Sequence, residues 1–269
     1  FLPSLYLGYE LTKSSAIYLD YTRSYGFDVN LFPTYSQKRD DFVSKGVRLQ
    51  QLWDELELET SDNIDLGSKI LLGGITLNPN IFVSFIKNKQ ANIFDSSLNV
   101  GYPANVGEAF GYGAEFAANG AIRDDLEFLL GFSYNKYSFT QDFSSATGAS
   151  NIKGNQLPDA PEFMTKVALS YYLGKWAFTP SARYTSSRYG NVVNSEKIDA
   201  FTIVDLDISY KPREFFGSKD VTFRATITNL TDERYISTII SPDNALAIND
   251  TSTYQTGAPF GMFFSANLK

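Results

Sequence analysis

The sequence has no cysteine and no histidine among its 269 residues, and only two methionines and two tryptophans. Without cysteine there is no disulfide and no thiolate metal site. Without histidine there is no Ser-His-Asp hydrolysis, and the common zinc ligand sets are missing. No metal-ligand spacing and no phosphate-cradling glycine loop takes their place, so neither a metal nor another cofactor is expected. Nowhere do ~18 apolar residues run together, the length that a membrane helix needs. Basic residues are outnumbered, 23 against 30 acidic, and the net charge of −7 argues against nucleic acid as a partner. Helical periodicity is scarce as well, and the chain reads as all-β. Phe1 is neither an initiator methionine nor part of a signal peptide, so the sequence is expected to start inside a mature protein.

What the sequence has in quantity is alternation, with aromatic residues making up 15% of the chain. In the last stretch Phe260, Met262, Phe264, Ala266 and Leu268 share one parity, while Gly261, Ser265, Asn267 and Lys269 share the other. Phe263 is the exception. A side-chain period of two puts these sets on opposite faces of a strand, apolar on one side and small or polar on the other. Membrane-spanning β-barrels show this pattern. Eleven such segments are predicted, near 4–10, 15–24, 62–70, 75–89, 106–118, 126–140, 163–173, 176–188, 200–210, 221–231 and 257–269. The clearest carries Leu126, Phe128, Leu130, Phe132 and Tyr134 on one face. Pro79 predicts an irregular start to the fourth segment, and Pro180 a bulge in the eighth.

The connections alternate strictly in length. Those at 11–14, 71–74, 120–125, 174–175 and 211–220 are short, and those at 25–60, 90–104, 141–160, 189–199 and 232–256 are long. Outer-membrane barrels sort their loops in this way, with short periplasmic turns and long extracellular loops. An open sheet is untenable in lipid, because each edge of ~10 residues leaves unpaired backbone groups costing several kcal/mol apiece. Eleven strands therefore imply either closure or membership of a larger barrel.

Several stretches carry a family resemblance. Asn229-Leu230-Thr231-Asp232-Glu233-Arg234-Tyr235 and the Gly257-Ala258-Pro259-Phe260 opening of the last strand resemble the C-terminal end of TonB-dependent outer-membrane receptors. Gly154-Asn155-Gln156-Leu157-Pro158-Asp159-Ala160-Pro161, 58–67 and 200–206 resemble further family segments in the correct order. Thr231 stands where the family has Phe, and Phe260 where it has Arg. The family's terminal aromatic would fall at position 270, so at least one residue is expected beyond Lys269.

The resemblance implies an antiparallel up-and-down transmembrane barrel of twenty-two strands, of which residues 1–269 would supply about eleven, the C-terminal half. It implies a plug domain and N-terminal strands upstream, and an inner-membrane TonB complex reached through that upstream region. The location would be the bacterial outer membrane, in contact with its lipid. The expected cargo is a scarce nutrient, most often a ferric siderophore. The expected role is transport, not catalysis.

Candidate site residues divide by height and parity. Arg23, Tyr25, Lys38, Arg39, Arg188 and Tyr189 belong to the outer rim or loops, where cations and aromatics could hold an anionic aromatic chelate by charge and stacking. Glu115, Lys166, Arg183, Asp205, Asp207 and Arg224 have lumen parity and could face a plug or water. Asp205 and Asp207 are spaced as a glycosidase pair might be, but alternate polar residues are expected on any lumen face. Trp176, Tyr134, Tyr171 and Tyr210 lie near strand ends on the outward face, as an interfacial aromatic girdle would. The Asn229-Leu230-Thr231 and Asn249-Asp250-Thr251 sequons are read as accidental. The competing readings are a passive porin-like or structural barrel without a plug and, disfavoured by the missing histidine, an outer-membrane hydrolase.

Overall fold

Alternation becomes a single antiparallel sheet of eleven strands in the computed structural model, which describes residues 1–26, 31–95, 100–145, 148–215, 217, 221–240 and 253–268. In chain order these are β1 (Ser4–Thr12), β2 (Ser15–Gly26), β3 (Glu59–Leu72), β4 (Ile75–Lys87), β5 (Ala109–Arg123), β6 (Leu126–Phe139), β7 (Phe163–Leu173), β8 (Trp176–Thr185), β9 (Phe201–Tyr210), β10 (Val221–Thr228) and β11 (Gly261–Leu268). Each wall strand pairs with the next along the chain, and β1 and β11 lie at the two edges of an unclosed sheet. This is the up-and-down wall expected of part of a larger barrel.

Short turns close one rim. Gly73 and Gly74, at φ +56° and +84°, join β3 to β4 in the left-handed conformation that a tight hairpin demands. Asp124-Asp125 and Gly174-Lys175 turn β5 into β6 and β7 into β8. The expected bulge at Pro180 is absent. Pro180 pairs with Leu206 in unbroken register, and the β7–β8 register is the same on both sides of it. The proline lacks an N–H, so the ladder skips bonds instead of shifting. Pro79 behaves alike, pairing with Phe116 while the β3–β4 register is unchanged across it. β8 stops at Thr185, short of the expected 188, and β5 starts at Ala109, later than the expected 106.

The opposite rim adds short helices to the all-β wall. The polar connection after β2 holds three short helices, α1 (Leu31–Gln37), α2 (Arg39–Ser44) and α3 (Leu49–Glu55). Leu49, Leu52 and Leu56 recur at i, i+3 and i+7, a helical stripe too brief to stand out against the strands. The later long connections contain hairpins of their own, such as Gln90–Asp95 with Val100–Asn105, and Ile236–Ile240 with Thr253–Thr256.

Most of the buried core sits in these connections and at the strand ends next to them. One cluster joins Leu31, Tyr35, Phe42, Leu52 and Leu56, with Tyr102 of the next hairpin packed against it. A second joins Val106, Ile152, Leu157 and Val192, from three different connections, to Ala109 and Phe139 at the ends of β5 and β6. The wall instead exposes Leu66, Ile81, Phe132, Leu169, Met262 and Phe264 along one face. A water-soluble surface does not carry an apolar expanse of that extent, whereas the lipid face of a barrel does.

Candidate functional site

At the loop-bearing rim, two of the segments that carry the family resemblance act as fastenings. Asn229 is 2% exposed and adopts φ +50°, a conformation that Asn tolerates better than most residues. Its Nδ2 donates to the carbonyls of Glu233 (2.9 Å) and Ala258 (3.0 Å), and its Oδ1 accepts from Glu233 N (2.8 Å). Asp232 Oδ1 accepts from Phe260 N at 3.0 Å. The Tyr235 ring fills the space a Cβ on Gly257 would need, and it packs 4.5 Å from the Phe201 ring. Four side chains thus clamp the ends of β9, β10 and β11 together.

A second fastening centres on Arg188. Its Nε donates to Asp159 Oδ1 at 2.5 Å, its Nη2 donates to Ile236 O at 3.0 Å, and its guanidinium lies 5.8 Å from the Phe201 ring centroid. Asp159 Oδ2 also accepts from Ile239 N. Asn194 completes the tie, accepting from Gln156 N and donating to Gln156 O. Three long connections therefore interlock into one packed layer.

This geometry disperses the six rim residues expected to bind cargo. Arg188 is buried and spent on the loop tie, so it does not line an open mouth. Arg23 shares the parity of Ile17 and Leu19, which puts it on the outer face. There it grips Asp62 with two bonds of 2.7 Å, and Tyr21 Oη donates to the same carboxylate. Tyr25 is exposed on that same parity, two residues on. Lys38 and Arg39 lie at the start of α2, with Lys38 Nζ 3.8 Å from Asp41. Tyr189 is half-buried in a two-residue ladder with Lys197. Only the pairs adjacent in sequence are brought together.

The six lumen residues fall into two groups. Asp205 accepts from Asn229 N at 2.8 Å, and Asp207 accepts from Thr226 Oγ1 at 2.7 Å and faces Arg224 Nε at 3.4 Å. Those charges are satisfied within the wall, and the two aspartates do not act as a free acid pair. Lys166 and Arg183, by contrast, are direct cross-strand partners, both exposed, and no carboxylate among the described residues lies within 4 Å of either. Glu115 is exposed and is likewise free of ion pairing among the described residues.

Aromatic rings cover the inner-face glycines. Tyr18 lies over Gly67, Tyr137 over Gly111 and Phe82 against Gly113, each ring filling the space a Cβ would need. Tyr6 stacks on Tyr18, and Phe82 on Tyr137. Among the described residues no cluster of Asp and Glu has the form of a metal site.

Residues 1–230 match the family model described as TonB dependent receptor-like, beta-barrel. The chain belongs to the TonB-dependent receptor barrel family. It is 26% identical over 190 residues to the probable TonB-dependent siderophore receptor PiuA of Acinetobacter baumannii, covering 68% of this chain and 24% of that protein. It is 30% identical over 135 residues to the vitamin B12 transporter BtuB of Photobacterium profundum, covering 50% of this chain and 20% of that one. The crystal structure of the A. baumannii siderophore receptor PiuA superposes with a TM-score of 0.70 at 20% identity, over 98% of this chain and 35% of that chain. The chain thus spans about a quarter of the length of the curated relatives it matches.

Membership of the TonB-dependent receptors places the chain in the bacterial outer membrane and gives its two rims their sides. The long connections face outward and the short turns face the periplasm. Its relatives are transport receptors rather than enzymes. The apolar face of the sheet meets lipid, and the face bearing Tyr18, Glu115, Lys166 and Arg183 lines the lumen.

Proposed function

We propose that this chain forms part of the wall, rim and outer loops of a receptor for active uptake of a scarce nutrient, with a ferric siderophore as the first candidate. In this reading the barrel holds an N-terminal plug domain, and the inner-membrane TonB complex acts on that plug from the periplasm. The outer loops capture the cargo and the lumen wall guides it once the plug is displaced. No covalent bond is made or broken.

The observation that carries the reading is the family match over residues 1–230 combined with an inner wall that bears Glu115, Lys166 and Arg183. A relative described as a siderophore receptor supports the choice of cargo class. The packed outer layer supports capture as well, because a preorganised rim loses less conformational freedom on binding than mobile loops would.

Uptake by cells carrying the full-length receptor, tested against a panel of radiolabelled ferric siderophores, is the direct check. Accumulation should require both the receptor and an energised inner membrane. Uptake that survives collapse of the proton gradient would favour a passive porin-like barrel instead.

A further inference from the structure

Two small side chains leave a groove in the lipid face near the periplasmic rim. Ala225 on β10 pairs with Ile208 and Phe264, and Ala266 on β11 pairs with Phe223. The two alanines are thus diagonal neighbours set among bulky side chains. The space over them measures about 460 Å³ and is walled by Ile208, Tyr210, Phe223 and Phe264. Except for Arg224 and Ser265, the residues around it share the outward parity of Leu206 and Met262. Its volume falls within the ~300–1,000 Å³ of small-ligand sites.

Cations gather at the foot of this groove. Lys175 directly precedes Trp176, and Lys211 directly follows Tyr210. Lys211 N donates to Lys175 O at 2.9 Å, which sets the two residues side by side. Arg213 follows in the same turn. All three are exposed, and none has a carboxylate within 4 Å among the described residues. Glu214 is the one acid in the described part of these two turns, and it forms no ion pair there. The turn between β5 and β6 differs, since Arg123 is held by Asp125 at 2.9 Å. In a chain of net charge −7, a local excess of cations is not a by-product of composition.

We propose that this groove and its cations form a site for one anionic phospholipid of the periplasmic leaflet. An acyl chain lies over Ala225 and Ala266, and the phosphate sits among Lys175, Lys211 and Arg213. Depth, shape and charge agree on this occupant. The Trp176 and Tyr210 rings, 4.6 Å apart, mark the level where hydrocarbon gives way to headgroups. The groove opens on the hydrocarbon side of that level, and the cations lie on the headgroup side. Both lysines lie beyond the strand ends, where a long stem can carry its ammonium round the rim to the lipid side. Each cation beside an anionic headgroup is worth about fivefold in retention. The site follows from the wall's place in the membrane and goes beyond the uptake reading, since it does not depend on the cargo.

The test is native mass spectrometry of the full-length receptor in detergent, with dioleoyl phosphatidylglycerol or dioleoyl phosphatidylcholine added. Wild type should retain phosphatidylglycerol about tenfold more than phosphatidylcholine, and Lys175→Gln/Lys211→Gln/Arg213→Gln should retain both alike. Ala225→Phe fills the groove and should lower retention of both lipids about threefold. No headgroup preference in wild type, or a preference that survives the triple substitution, would overturn the cationic seat. Unchanged retention in Ala225→Phe would overturn the groove. Should that variant not assemble, Ala266→Leu fills the same space from β11, and unchanged retention there counts equally against it. A wild-type dimer that Ala225→Phe splits would overturn the proposal by giving the groove to a second copy of the receptor.

Discussion

Arg188 Nε lies 2.5 Å from the Asp159 carboxylate, with the arginine side chain 2% and the aspartate 35% exposed. The pair is lopsided, because the carboxylate can turn to water and the guanidinium cannot. Asp159→Ala strands a buried cation and should cost about 3 kcal/mol. Arg188→Met keeps the buried volume, leaves a carboxylate that can hydrate, and should cost about 1 kcal/mol. Hydrogen exchange at Ile239 and its neighbours would read both, since Ile239 N donates to the same aspartate. A larger loss from Arg188→Met would refute the buried-cation account.

Asn229 is the second point where one side chain holds several strands. Asn229→Asp keeps shape and the acceptor but replaces the amide donor with an anion facing the carbonyls of Glu233 and Ala258. Two unmet carbonyls and their repulsion should lower stability by roughly 2–3 kcal/mol. Asn229→Gly tolerates the φ of +50° but loses all three side-chain bonds, and should cost a similar amount. Thermal unfolding of the detergent-solubilised receptor, followed by β-sheet signal, would show both losses. Wild-type stability in Asn229→Asp would mean that the clamp is dispensable.

How much of this was legible in the sequence depended on which interaction carried the information. Strand number, order and facing were readable because period-two alternation is imposed by lipid on one side and water on the other, as the Leu126-to-Tyr134 stripe illustrates. The helices of the first long connection were not, because Leu31, Tyr35, Phe42, Leu52 and Leu56 bury one another across short, separate segments. Arg188 looked like a free rim cation because its partner is 29 residues away in sequence, while Asp159 stood inside a segment recognised only by resemblance. Arg23 could have been placed better, since its parity with Ile17 and Leu19 already put it on the outer face. Pro180 misled because a missing N–H requires only a skipped bond, not a shift of register.

The ring-over-glycine pairs of the inner wall predict strong coupling. Gly111→Ala would put a methyl group where the Tyr137 ring now lies. In the wild-type background the ring must move, at a cost of about 1–3 kcal/mol. In a Tyr137→Ala background that clash is gone, so the cost should fall below about 0.5 kcal/mol. A double-mutant cycle on unfolding free energy measures the difference directly. Additive effects would mean that the ring vacates Gly111 in the folded receptor.

Leu169 and Ser170 are neighbours at the middle of β7 on opposite faces. Leu169 pairs with Phe128 on the lipid side, while Ser170 on the lumen side bonds to Thr179 Oγ1 at 3.1 Å. Leu169→Lys places a charge near the bilayer midplane and should cost about 2–4 kcal/mol. Ser170→Lys gives up one neutral hydrogen bond, about 1 kcal/mol, and its ammonium enters a water-accessible lumen. The contrast tests orientation with almost no change in sequence position. Reversible unfolding from lipid vesicles should rank Leu169→Lys well below Ser170→Lys. The opposite ranking would turn the sheet inside out and with it the assignment of Lys166 and Arg183 to the lumen.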